Sequence, residues 1–334
     1  MIAENIPYSC FVSNSFLRTP EPEEFSFGGP NSGLFFVMPE LGKSVAPLSP
    51  APARAFPGEG LEGSPFLKTW QKPIFILCLL FWVGSLVIAS LRMVDSSISN
   101  PLEGGFLFLA AVSTLMALGR RLPLQNVLAT AMIITAISAA VIALTSVSGV
   151  PWGPIRYSGV LGAPLFGVLP WPLPLLWIFL IVNGRGIARL IMRPWRKTNY
   201  YGFWVMGVTC LLVVMFDLGL EPLAVSVKHY WIWQTPESVP AWYTAPWVNF
   251  LGWFVTALAI LTFTMPWLIN KQPVKQPIDY YPLVLWLMLN IWIGLGNALH
   301  QAWPAVVESV IGNAVVATYA IRGARWEKSR AGPG

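Results

Sequence analysis

Two carboxylates stand at an unusual place in the chain, near the end of a long apolar segment. Asp217 and Glu221 are four residues apart, and Pro222 directly follows the second. In a helix this spacing puts both side chains on one face. Two carboxyl groups in an apolar environment do not both ionise readily, so we expect one to hold a proton while the other is charged. Such a pair can divide the roles of general acid and general base.

Pro222 is predicted to change the helix beside the two acids. A proline inside a helix lacks an N–H and clashes with the carbonyl four residues earlier, here that of Leu218. We therefore expect a kink and a free backbone acceptor at Leu218. The alternative is that the acids are hydrogen-bonding groups between packed helices, paired with Arg156 or Lys228.

The composition places these acids in a membrane protein. Hydrophobic residues make up 55% of the chain and charged residues 11%, whereas soluble domains have about 25% charged residues. After the first 72 residues come eight apolar segments, each near the roughly 20 residues that cross a bilayer. They are 73–93, 102–119, 124–147, 172–191, 202–227, 247–269, 281–300 and 303–321. The predicted fold is all-α, a polytopic integral membrane bundle of about eight transmembrane helices.

The basic residues predict how the bundle is oriented. Fifteen Lys and Arg residues fall on one side of the predicted bundle and three, Arg92, Arg156 and Lys228, on the other. Because basic loops stay inside, both termini are predicted to be cytoplasmic, in a multi-pass protein of the cell membrane. The chain then divides into a disordered, Pro-rich extension (1–70), a transmembrane domain (71–323) and a basic cytoplasmic tail (324–334).

Several other residues are predicted to lie with the acids in the outer half of the bilayer. Asp217 is about 24 Å along its helix. At a similar depth Glu308 is near the start of the eighth helix, His300 ends the seventh and Asn249 begins the sixth. Ionisable groups at membrane depth commonly mark function. The alternatives are a capping role for His300 and a packing role for Glu308.

Tryptophans cluster just after the two acids. Trp231, Trp233 and Trp253 are among 17 tryptophans in the chain. They are expected either to form an aromatic belt at the membrane boundary or to line a site, since aromatic faces stabilise cations.

Other kinds of chemistry have little support in the sequence. The two histidines and three scattered cysteines form no metal-binding spacing, and neither GxGxxG nor GxxxxGK[ST] occurs. We therefore expect no metal, nucleotide or redox cofactor, and no nucleic acid as a partner.

The segments FDLGLEPLAVSVKHYWIW (216–233) and YTAPWVNFLGWF (243–254) resemble a family of integral-membrane carotenoid biosynthesis proteins. That family includes gamma-carotene 1'-hydratase and bisanhydrobacterioruberin hydratase. It has an Asp, three residues and Asp-Pro, then a Trp-x-Trp pair and an Asn-Phe-x-Gly-Trp block. The matching residues here are Asp217, Glu221 (in place of Asp), Pro222, Trp231, Trp233, Asn249, Phe250, Gly252 and Trp253. YSGVLGAPLFGVLPWPLPLLW (157–177) resembles the family's loop and following helix.

The resemblance implies hydration of the terminal C1'=C2' double bond of a linear carotenoid dissolved in the bilayer. It implies that Asp217 and Glu221 are the acid and base, that Asn249 positions water, and that the tryptophans line the cation. Glu308 and His300 are further expected to contact substrate. Two alternatives stay open: a carotenoid-binding or transport protein without enzymatic activity, and a membrane prenyltransferase. The latter needs two acidic motifs to hold magnesium and diphosphate, and one is visible.

Overall fold

The structure, a computed structural model, describes residues 65–91, 96–162, 164–236, 238–269 and 278–330. Within these ranges the chain forms eight long helices. They are α1 (Pro65–Ser90), α2 (Ser96–Gly119), α3 (Leu124–Ser148), α4 (Pro172–Ile191), α5 (Tyr201–Pro222), α6 (Trp247–Leu268), α7 (Tyr281–Leu299) and α8 (Trp303–Arg330). Six short strands lie in the connections: β1 (Ile155–Tyr157), β2 (Pro164–Leu165), β3 (Leu169–Pro170), β4 (Trp231–Trp233), β5 (Ala241–Trp242) and β6 (Ala245–Pro246).

All eight helices of the described chain are long and apolar enough to cross a membrane. The predicted all-α, polytopic fold is therefore confirmed. Each predicted span overlaps one helix, and most boundaries agree within a few residues. The largest differences are at the two ends, because α1 begins at Pro65 and α8 continues to Arg330. The predicted extension up to residue 64, and the loop that carries Lys271 and Lys275, lie outside the described residues.

Helix α4 forms the centre of the bundle. It packs against α2, α3, α5, α7 and α8, and 78% of its membrane span is buried in protein. By contrast, 11% of the span of α1 is buried, so this helix presents most of its apolar side chains outward. An outward apolar surface suits a hydrocarbon environment, where it needs no polar cover.

One end of the bundle, here called the strand face, is organised by pairing between two connections. Strand β1, from the α3–α4 connection, pairs antiparallel with β4, from the α5–α6 connection. At the same face Asn297, near the end of α7, donates from Nδ2 to the carbonyl of Gly219 at 2.8 Å. The Gly- and Pro-rich segment 149–171 thus folds onto the ends of the helices.

The opposite end, here called the arginine face, carries a different set of contacts. Arg121 forms an ion pair with Asp279 at 3.1 Å. Arg185 Nη2 donates to the carbonyl of Leu268 at 3.0 Å. The alternation of the helices puts the predicted basic loops at this end. The side of the membrane that this end faces remains a prediction.

Candidate active site

The two carboxylates of α5 lie together in the protein interior, below the strand face. The exposed fraction is 0% for Asp217 and 1% for Glu221. Asn249 joins them, because its Nδ2 donates to Asp217 Oδ2 at 2.7 Å and to Glu221 Oε1 at 3.1 Å. Asn249 is in the first turn of α6, which begins at Trp247. The positive end of the α6 dipole therefore lies beside the acids, where it stabilises negative charge.

Two tryptophans of β4 donate hydrogen bonds to the second carboxylate. Trp231 Nε1 lies 3.3 Å and Trp233 Nε1 3.1 Å from Glu221 Oε2. Residues alternate between the two sides of a strand, so Trp231 and Trp233 are buried while Ile232 between them is exposed. Pairing with β1 holds β4 in this register. Glu221 thus accepts from three donors, and Asp217 from one.

The backbone of α5 changes its hydrogen bonding at Pro222. The α-helix ends at Pro222 and continues as one π-helical turn to Val227. The carbonyl of Leu218 accepts a hydrogen bond from Trp242 Nε1 at 2.9 Å. The prediction of a free acceptor at Leu218 is confirmed, since a side chain from the α5–α6 connection uses it.

The cations proposed as alternative partners of the acids lie elsewhere. Lys228 Nζ donates to Glu103 Oε1, and Tyr230 Oη donates to Glu103 Oε2. Burial, followed by the nearby Glu103 charge, raises the pKa of Tyr230 well above its usual value, so its phenol stays neutral and can donate. Arg156 is exposed on β1. Among the described residues, no ion pair is formed with Asp217 or Glu221.

Three tryptophans that pack against one another form a wall beside Glu221. The ring centroids of Trp253 and Trp177 are 4.9 Å apart, and those of Trp253 and Trp152 are 5.8 Å apart. Trp152 comes from the α3–α4 connection and can approach α6 because Gly252 has no side chain. A Cβ at Gly252 would lie 2.4 Å from Trp152 Cδ1 and 2.9 Å from the carbonyl oxygen of Pro151. In the Asn-Phe-x-Gly-Trp block, Asn249 therefore donates hydrogen bonds to the acids, Gly252 lets Trp152 approach α6, and Trp253 supplies an aromatic ring.

A small cavity, here called the aromatic pocket, opens between these groups. It is lined by Trp152, Ile155, Tyr157, Leu173, Trp177, Glu221, Trp231, Trp233, Asn249 and Trp253. Its free volume is about 10 Å³, roughly the space of a single water molecule.

Several polar atoms around the aromatic pocket are buried without a hydrogen-bond partner. They are Tyr157 Oη and Asn249 Oδ1, whose residues line the pocket, and Asp217 Oδ1, whose residue does not line it but is hydrogen-bonded to Asn249. Burial, and then the charge of Glu221, raises the pKa of Tyr157, which keeps its phenol neutral. Unpaired buried polar atoms are rare in folded proteins and commonly mark a bound water or a functional group. The Tyr157 hydroxyl and the Asn249 carbonyl oxygen are thus available to a small polar ligand in the pocket.

Glu308 and His300, also predicted for the site, are not brought into this cluster. Glu308 is on the other side of α5: a Cβ at Gly219 would lie 3.4 Å from Glu308 Oε2, and Ser309 Oγ donates to the same atom. His300 follows the last turn of α7, is exposed, and contacts the carbonyl of Gly296 at 3.0 Å. Asp217, Glu221, Asn249, Trp231, Trp233 and Trp253 do lie together.

Tyr157, Trp152 and Trp177 belong to the site but were not predicted for it. Trp152 and Tyr157 lie in the segment between α3 and α4, which has no regular hydrophobic pattern, and Trp177 lies near the start of α4. The signal that could have indicated them was the polar and aromatic content of a loop that must be buried at membrane depth.

Comparison with known proteins addresses the same part of the chain. A family model described as carotenoid biosynthesis protein matches residues 104–319. This chain belongs to the carotenoid biosynthesis protein family. The match runs from α2 to α8, so it includes the carboxylate pair, Asn249 and the aromatic pocket.

A curated relative of this carotenoid biosynthesis protein is bisanhydrobacterioruberin hydratase of Haloarcula japonica. The two are 29% identical over 160 residues, which cover 47% of this chain and 51% of that protein. The chain thus matches about half the length of this relative. No solved structure shows a significant match. Within the described chain, no cluster of three or more His, Cys, Asp or Glu side chains could hold a metal ion.

Proposed function

We propose that this protein hydrates the terminal C1'=C2' double bond of a linear carotenoid in the bilayer. The observation that carries the proposal is a buried carboxylate pair, bridged by an amide, beside a pocket the size of one water. The resemblance of the chain to a hydratase supports the same reaction. Adding water to an alkene leaves the net oxidation state unchanged, so the reaction needs proton transfer and no redox partner.

The hydrogen bonds around the pair support a division of roles. Glu221 accepts from Trp231, Trp233 and Asn249, and such donors favour a charged carboxylate. Asp217 accepts from Asn249 and has one oxygen unpaired. We therefore assign Asp217 as the acid, with its proton on Oδ1, and Glu221 as the base.

In the proposed reaction, Asp217 gives its proton to C2', the less substituted carbon. The electron pair of the double bond forms the new C–H bond and leaves a tertiary cation at C1'. Water in the aromatic pocket attacks C1' while Glu221 takes its proton, which gives a tertiary alcohol. Proton transfer from Glu221 to Asp217 restores the pair, and Asn249, between both carboxylates, holds them at a fixed separation.

The walls of the aromatic pocket fit the remaining requirements of this reaction. The unpaired Asn249 Oδ1 and Tyr157 Oη can hold the water by accepting and donating hydrogen bonds. The faces of Trp253 and Trp177 can stabilise the cation, an effect of about 1–2 kcal/mol where water is excluded. Glu308 and His300 have no step here because they lie away from the pair. We place the arginine face in the cytoplasm, since it carries the basic loops.

Pigment conversion in cells tests this function. The protein is expressed in a host that makes lycopene or gamma-carotene, and the pigments are separated and weighed by mass spectrometry. We expect a product heavier by one water, and none from Asp217→Asn or Glu221→Gln at matched membrane levels. Unchanged pigment that co-purifies with the protein would instead favour carotenoid binding or transport.

A further inference from the structure

A second cavity, here called the hydrocarbon chamber, adjoins the aromatic pocket and has no role in the steps above. Its volume is about 460 Å³, within the usual range of small-molecule sites. It lies between α2, α4, α5 and α7, and aromatic and branched side chains make up most of its wall. Among them are Phe106, Leu176, Phe216, Leu220, Leu289 and Trp292.

We propose that the hydrocarbon chamber holds the polyene chain next to the reacting end of the substrate, and that this end reaches past the Trp231 indole to the Asp217–Glu221 pair. The inference rests on the proposed function for the class of ligand. The occupant follows from the walls, which offer an extended apolar surface suited to a hydrocarbon.

The charge on the chamber wall is already neutralised. Among the described residues that line the chamber, Glu103 is the only Asp, Glu, Lys or Arg. Both of its oxygens are occupied, one by Lys228 and the other by Tyr230. A polar or cationic ligand would therefore find no free partner at this carboxylate, whereas a hydrocarbon needs none.

The position of Trp231 links the chamber to the acids. Trp231 lines both cavities, as does Leu173. Trp231 lies where the linings of the two cavities meet, and its Nε1 donates to Glu221 Oε2 at 3.3 Å. Phe216 and Leu220, which line the chamber, directly precede Asp217 and Glu221 in α5. A chain end in the chamber would thus lie against the same turns of helix that carry the pair.

Filling the chamber tests the inference, and α7 offers a matched control. Leu289 lines the chamber, whereas Leu285, one turn earlier and equally buried, does not. Lycopene binding in lipid nanodiscs is followed by the shift of its visible absorption band, which needs no turnover. We expect Leu289→Phe to weaken binding at least ten-fold and to change the thermal midpoint little. Leu285→Phe should lower the midpoint and leave the affinity of the folded protein unchanged.

Two further variants make the outcome decisive. Leu176→Phe fills the chamber from α4 and replaces Leu289→Phe if that variant does not fold. Trp231→Phe should lower kcat more than it raises KM, because it keeps a wall but loses the N–H to Glu221. Wild-type affinity in both filled variants would overturn the inference, as would a wild-type protein that binds no lycopene. If lycopene binds in the chamber but is not hydrated, the proposed function is wrong, whereas the inference that the chamber binds a polyene is retained.

Discussion

Two carboxylate clusters, one partly and one fully buried, lie toward the strand face, and they differ in what balances their charge. Glu103 is bound by the Lys228 ammonium and the Tyr230 phenol, and both of its oxygens are used. Asp217 and Glu221 are bound by an amide and two indoles, with no cation among the described residues. The first cluster is closed, whereas the second keeps an unpaired oxygen and faces a cavity.

The comparison indicates which of the two clusters is suited to take up and release a proton. At Glu103 the ammonium of Lys228 balances the negative charge of the carboxylate. Two carboxylates without a cation disfavour full ionisation, and burying them costs several kcal/mol per ion before any compensation. The hydrogen-bond donors and the start of α6 offset part of this cost, and ionisable groups at membrane depth commonly mark function.

The largest expected effect comes from removing one acid of the pair. Asp217→Asn and Glu221→Gln keep the shape of each side chain but remove a group that can take up or release a proton. General acid–base catalysis contributes about 10²–10⁴-fold in rate, so we expect each variant to lose at least about 100-fold in kcat. Turnover of lycopene by purified protein measures this loss.

A variant of the Glu103 cluster is the control for the loss of kcat in the pair variants. We expect Glu103→Gln to lower turnover of the folded protein by less than about ten-fold, because no proton moves through it. If Glu103→Gln lost as much kcat as the pair variants, the two clusters would not differ in the way described here.

Chemical rescue sharpens the division of roles within the pair. Glu221→Ala should regain part of its activity when formate is added, and more at higher pH, because the anion replaces a base. Asp217→Ala should instead respond to formic acid at low pH, since an acid must carry its proton. Reversed pH trends for the two variants would exchange the assigned roles. Turnover against pH, with and without formate, is the measurement.

A smaller effect is expected on stability from the Glu103 cluster. Glu103→Gln leaves the Lys228 ammonium, which is largely buried, without its counter-charge. We expect a loss of about 1–3 kcal/mol, since the side chains of Lys228 and Glu103 are each only 13% exposed. Unfolding in mixed micelles followed by tryptophan fluorescence measures the change. The matched variant Asp279→Asn should cost less, because its partner Arg121 is 26% exposed.

The smallest expected effect concerns the acceptor that Pro222 frees. Trp242→Phe removes the donor to the Leu218 carbonyl and should lower stability by about 1 kcal/mol. In a Pro222→Ala background the carbonyl can bond within the helix, so the same substitution should cost less. Equal losses in both backgrounds would show that Trp242 contributes through packing alone. A double-mutant cycle on the unfolding midpoints distinguishes the two outcomes.

The sequence was sufficient to predict the helices and part of the site. Long apolar segments and basic loops indicated eight spans, since a bilayer sets the length of each. Asp217 and Glu221 could be paired because a helix fixes the direction of residues four apart. Asn249 was predicted to lie at the depth of the acids and Trp231 and Trp233 to follow them, and the family resemblance grouped all three with the pair. The contacts of the two tryptophans with Glu221 depend on the pairing of β1 with β4, which the sequence did not indicate.

The residues that sequence analysis misplaced or missed share a physical reason. Depth along a helix can be counted from the sequence, and Glu308 is near the depth of the pair. Its direction depends on how α8 rotates against α5, and two residues along a helix turn by roughly 200°. Glu308 faces Gly219 and therefore the side away from Asp217. Tyr157 was missed because a three-residue strand has no detectable period.

The central claim is that water adds to the substrate at the Asp217–Glu221 pair. Purified protein in lipid nanodiscs is incubated with lycopene in water enriched in ¹⁸O, and the pigment is analysed by mass spectrometry. We predict a tertiary alcohol that carries ¹⁸O from the wild-type protein. Asp217→Asn and Glu221→Gln should return unchanged lycopene while still binding it. An ¹⁸O-labelled alcohol formed at the wild-type rate by both folded variants would contradict the claim.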